Sequence, residues 1–108
     1  MSIIAAKPTP VAQESTGTLL IGDVRWRQRV RVRGKVRALR VQPWEGGVAT
    51  LECTLVDDTG GLVVIFMGRR RIGGVTLGRD MEVEGMVIEN RGRLAVMNPA
   101  YTLLPHEG

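Results

Sequence analysis

The side chains of this chain that are equipped for chemistry are its arginines. Between Arg25 and Arg40 lie eight basic residues and no acidic one, and Arg69-Arg70-Arg71 forms a second run further along. The acids Glu82, Glu84 and Glu89 gather in the last third. Guanidinium groups in series hold polyanions, because each offers a fixed charge and a planar fork of donors that fits a phosphate. The alternative for a strand is an ordinary solvated face, and Glu52, Glu82 and Glu84 are the acids that pairing would set beside these arginines. Exposed pairs of that kind contribute about 0.2–1 kcal/mol each, yet they cancel much of the field offered to a ligand. Arg37 and Arg40, the ladder cations nearest the loop of Trp44, are therefore the candidates within the first run. Arg69, Arg70 and Arg71 have no acid beside them in sequence and are the candidates in the second. Trp44, in the Pro/Gly-rich loop Gln42–Gly47, offers either a face for base stacking, worth roughly 1–3 kcal/mol, or a cover folded back over the protein.

Catalytic constellations find no support. His106 is the only histidine and sits in the terminal segment, and no nucleophile has a base placed near it in the pattern. Cys53, the only cysteine, alternates in phase with Leu51 and Leu55 and reads as a small buried hydrophobe. One cysteine and one histidine cannot assemble a zinc site. Asp57-Asp58 is explained by a turn. No GxxxxGK[ST] phosphate loop occurs. The expectation is a non-enzymatic protein with no cofactor and no metal.

The elements that must carry these cations follow from composition and period. The chain has 108 residues, 44% hydrophobic and 24% charged, with net charge +4, 14 glycines and 5 prolines. That is one globular domain with many turns and few long helices, its core built from Val, Leu, Ile and Met because aromatics are 4%. No apolar run approaches the roughly 18 residues of a membrane span, and the N-terminus lacks a signal peptide's pattern. The expected compartment is the cytoplasm. Residues 1–17 read as a flexible, dispensable tail, 18–104 as the domain and 105–108 as a short C-terminal tail.

From Arg29 the run Arg-Val-Arg-Val-Arg-Gly-Lys-Val-Arg-Ala has a period of two, which predicts a half-buried strand with Val30, Val32 and Val36 inward. Gly34 predicts a sharp bend, after which Leu39 and Val41 take up the other phase. Further strands are predicted at Ala49–Asp57, Leu62–Met67, Met81–Glu89 and Leu94–Met97. The turns between them are Asp57–Gly61 and Asn90–Gly92, and Gly68–Gly78 is an irregular connection with at most one helical turn. Tyr101–Leu104 reads as a short apolar tail. Trp26 is expected to close the barrel bottom, and Phe66 and Tyr101 to lie in the core or at a barrel end. Five strands, a bent first strand and a long third connection give an all-β, five-stranded OB-fold Greek-key barrel, with an SH3-type barrel as the competitor.

The pieces Val30-x-Val32-x-Gly34-x-Val36, Leu55-Val56-Asp57-Asp58-Thr59-Gly60, Val63-Val64-Ile65-Phe66, Leu77–Val87 and Met97-Asn98-Pro99-Ala100-Tyr101 occur in order. Over about residues 23–104 this resembles the OB-fold nucleic-acid-binding family of tRNA anticodon-binding and DNA-binding domains, and most of all the wedge domain of RecG-type branched-DNA helicases. The resemblance implies nucleic acid on the face of strands 2 and 3, flanked by the loops Gln42–Val48 and Asn90–Arg93. It adds Arg91 and Arg93 to the candidates and makes Trp44 the counterpart of the wedge's stacking aromatic. It implies a binding module without the helicase motor, taking single-stranded or branched DNA through phosphates with little sequence preference. The alternatives are an RNA- or tRNA-binding module, or a protein-interaction or regulatory module that docks a partner or a second copy on the edge of the third or fourth strand.

Overall fold

A computed structural model describes residues 17–43 and 47–105 of the chain. The alternating run from Arg29 becomes β1, Arg29–Pro43, with Val30, Val32 and Val36 buried. Its first half pairs antiparallel with β4 (Asp80–Asn90), from Arg29 opposite Met86 to Lys35 opposite Asp80. Its second half pairs antiparallel with β2 (Ala49–Asp57), from Lys35 opposite Val56 to Pro43 opposite Ala49. The change of partner falls at Lys35, immediately after Gly34. A Cβ at Gly34 would lie 2.7 Å from the Val56 carbonyl oxygen and 2.9 Å from Leu55 Cγ, so glycine is what lets β1 press against β2 where it bends. The register then shifts between Val36 and Ala38, a bulge at Arg37. The bulge reverses the alternation, which is why Leu39 and Val41 are the apolar positions beyond it. Val36 meanwhile turns its backbone to the connection before β4: its N–H donates to the Arg79 carbonyl (2.9 Å), and its carbonyl accepts from the Gly78 N–H (2.8 Å).

β2 turns into β3 (Gly60–Met67) on the carboxylate of Asp57. Its Oδ1 accepts from the Thr59 N–H (2.7 Å), the Thr59 hydroxyl (2.6 Å) and the Gly60 N–H (3.1 Å). Its Oδ2 accepts from the Ile21 N–H (2.8 Å), which ties a short 3-10 turn at Ile21–Asp23 to the hairpin. β3 pairs parallel with β5 (Arg93–Met97), and β5 pairs antiparallel with β4 through the two-residue turn Arg91-Gly92. Both turn residues have positive φ, 56° and 80°, as a type I′ hairpin requires. The pairings run β1-β2-β3-β5-β4 and back to β1, the closed Greek-key order of an OB-fold barrel. The interior is aliphatic, with Leu55, Val64, Met81 and Val96 fully buried. Cys53 lies among them, and burial pushes its thiol up to about 11. The connection over residues 68–79 is irregular and carries no helix.

Three expectations are corrected. The segment taken as an apolar tail is a sixth strand, β6 (Ala100–Leu103), paired antiparallel with Met81–Glu84 of β4. Four residues without a period carry no signal of their own, and the edge of β4 supplies the pairing. Trp26 does not close the barrel: it is 55% exposed, with the Arg27 guanidinium 4.4 Å over its ring, a cation–π contact that satisfies the indole at the surface. Neither β3 nor β4 presents a docking edge, because β3 lies between β2 and β5, and β4 is flanked by β1, β5 and β6. Phe66 is buried, and Tyr101, exposed on β6, meets it edge-on with ring centroids 5.6 Å apart.

Candidate nucleic-acid interface

Pairing β1 with β4 sets the first half of the arginine ladder against acids. Arg33 Nε lies 2.8 Å from Glu82 Oε1, Arg31 Nη2 3.3 Å from Glu84 Oε1, and Arg31 Nε 3.7 Å from Glu82 Oε2. Arg29 Nη2 lies 3.5 Å from Glu84 Oε2, and Lys35 Nζ lies 3.2 Å from Asp80 Oδ1. Half-exposed pairs like these add little stability, but they leave a nearly neutral face. Among the described residues these pairs hold only Arg29, Arg31, Arg33 and Lys35; no carboxylate comes within 4.0 Å of the remaining arginines.

Three of those remaining arginines converge. Beyond the bulge, the second half of β1 runs beside the connection that follows β3. Between them lies a groove of about 580 Å³ walled by Arg40, Arg70 and Arg71. Its floor is apolar: Leu51, Ile72 and Val75 are buried, Leu39 is half-buried and Val41 is 48% exposed. The hydrogen bonds of Val36 to Gly78 and Arg79 hold the two sides together at one end. Gly74, at φ 84°, lies against the Leu103 side chain, so β6 braces the outer wall. A side chain at Gly74 would be strained by its backbone and would collide with Leu103. The Gln42 amide, turned with its oxygen to the guanidinium, accepts from Arg40 Nη2 (3.1 Å) and Nε (3.3 Å) and so aims that arginine. Glu52 stands opposite Arg40 in the β1–β2 register and is buried, as the pairing anticipated for that acid. Among the described residues, no carboxylate lines the groove.

The other candidates are dispersed. Arg37 sits on the bulge and lines a different cleft, shared with Asp57, Asp58 and Asp80. Arg69 is exposed beside Arg70. Arg91 and Arg93 are exposed at the β4–β5 turn, beside the start of β3, while Arg69–Arg71 follow its end; the two groups stand on the order of 25 Å apart at about 3.3 Å per residue. Trp44 and His106 lie outside the described residues. The face of β2 and β3 turned away from the barrel interior carries no cation: it is formed by Thr50, Glu52 and Thr54 beside Val63, Ile65 and Met67, and Thr50, Glu52, Val63 and Ile65 are buried there, with Val63, Ile65 and Ala95 forming a second apolar cluster. The positive charge flanks that face and does not occupy it. Sequence reasoning missed the groove floor. Ile72 and Val75 bracket a Gly-Gly pair and looked only like a break in pattern, and their partners Leu39 and Val41 are some thirty residues away in the chain.

The architecture has a known counterpart. The structure is similar to that of RecG bound to a three-way DNA junction, with a TM-score of 0.66 and 18% sequence identity. The match covers 83% of this chain and 13% of that chain, so the shared unit is one small part of the larger protein. At that identity the likeness establishes the barrel fold. No family model matches the sequence, and no curated protein matches it.

Proposed function

We propose that this chain is a non-catalytic nucleic-acid-binding module that takes single-stranded or branched DNA through its phosphates, with little sequence preference. The observation that carries the reading is the sorting of its cations: β4 neutralises half of the ladder, while Arg40, Arg70 and Arg71 converge on one groove that, among the described residues, no carboxylate lines. Unpaired guanidinium groups on a rigid barrel can position a sugar–phosphate backbone without reading bases. The likeness to a protein solved on a DNA junction supports DNA as the ligand. No helix among the described residues is long and apolar enough to cross a membrane, and a cytoplasmic site of action accords with the reading.

The test separates loop from ladder. Replacing Arg69, Arg70 and Arg71 together by Ala should weaken binding of a labelled oligonucleotide at low salt far more than Arg31→Ala or Arg33→Ala, whose charges are already paired. Equal losses would extend the contact face along the ladder. A larger loss from the ladder would sink the assignment to the groove.

A further inference from the structure

A second hollow adjoins the groove. Val41, Gln42, Pro43, Gly47, Ala49 and Arg70 enclose about 380 Å³, and two of these residues, Val41 and Arg70, also wall the larger hollow of about 580 Å³. The two spaces therefore abut, with Val41 and Arg70 at their junction. We infer that this is a track for two successive unpaired nucleotides of a single strand. One base lies in each hollow, and the phosphate between them rests on Arg70. The inference rests on the phosphate-binding reading above and adds to it the demand that the bases be unpaired.

The chemistry of the lining selects this occupant. A bare phosphate or a headgroup would be served by the arginines alone and would gain nothing from the floor of Leu39, Val41, Ile72 and Val75. A purely apolar ligand would leave three guanidinium groups without an anion. A nucleotide has both parts, a flat, largely apolar base face and an anion at a fixed distance from it. The arginines are themselves planar and can stack on a base face while holding a phosphate. Pro43 gives the second hollow a rigid apolar wall of the same kind. A duplex cannot use the floor, because its base faces are already stacked inside the helix. The repetition of hollow, arginine, hollow along one line suits a strand more than an isolated nucleotide.

Three probes of equal phosphate count decide the matter by fluorescence anisotropy at low salt: oligothymidine, an abasic oligonucleotide of the same length, and a duplex of about half that length. Oligothymidine should bind about tenfold or more tighter than the abasic strand, the return expected for packing two bases. It should also bind tighter than the duplex. Val41→Ser, at a half-exposed strand position that folding tolerates, should cut oligothymidine affinity about three- to fivefold and leave the abasic probe unchanged. Arg70→Gln should weaken both single-stranded probes alike, with circular dichroism confirming that each variant retains its β-spectrum. Equal affinity for oligothymidine and the abasic strand, or a duplex that binds as tightly, overturns the base track and leaves phosphate binding standing. So does a Val41→Ser variant that binds oligothymidine like the parent. Absence of binding to all three probes overturns the phosphate reading itself.

Discussion

Asp57 shows how one side chain can hold several elements. Burial acts to raise its pKa, but the donors from Ile21, Thr59 and Gly60 together outweigh it and hold the carboxyl below its ordinary value. A group whose pKa is lowered by folding contributes stability above the unfolded value, about 3.9 for Asp, and loses it as pH falls through the folded value. Asp57→Asn should therefore lower the thermal midpoint at neutral pH, by roughly 4–8 °C for each kcal/mol lost in a domain of this size. The gap between variant and parent should close as the pH is taken well below 4. A gap that stays constant through acid would mean that shape, and not charge, explains the loss. The turn itself was legible because Asp-Asp-Thr-Gly-Gly is turn chemistry on any scaffold. The bond to Ile21 was not, since nothing local indicates that residues 21 and 57 meet. Trp26 was misread for a related reason: an indole beside a strand looks like cover for a core until its neighbour Arg27 is seen stacked on it at the surface.

At the scale of elements, β1 and β4 form a ladder in which Glu82 serves both Arg31 and Arg33. Removing that one carboxylate releases two cations. Glu82→Gln should change thermal stability little and should raise affinity for an oligonucleotide at low salt by about 1.5- to 5-fold, the range set by exposed ion pairs. The gain should vanish at high salt. Unchanged or weaker binding at low salt would mean that this face turns away from the ligand. The ladder and its shielding were readable beforehand because period-two alternation fixes which residues share a face, and the OB order fixes which strands adjoin. Gly34 was readable as a bend because glycine at an inward strand position has no other good use. The groove was not readable, because its sides come from the second half of β1 and from a connection that has no period. β6 was invisible for the opposite reason: its partner, Met81–Glu84, already looked complete as one side of a hairpin.

For the whole molecule, net charge overstates the field that a ligand meets, since the acids are concentrated where they cancel the ladder. If roughly 3–5 phosphates of a single strand are neutralised at the remaining cations, the affinity should fall with salt at a log–log slope of about −2 to −3.5, from about −0.7 per contact. Titrations over a range of salt concentrations measure this directly, and a flat response would favour a protein partner over nucleic acid. The division of β1 between two partner strands, β4 and β2, also governs how the chain reaches its fold. Its first half finds its long pairing only with β4, which is far along the chain, so loop closure must precede most of the reward and folding belongs in the slow, millisecond-to-second regime of β-barrels. Until β4 arrives, β1 is an open edge with valines on one side, the kind of surface on which copies of a chain assemble. Its arginines are then bare. Glu82 and Glu84 silence them only once the barrel is closed, so the unfinished strand repels its own kind and the finished one does not.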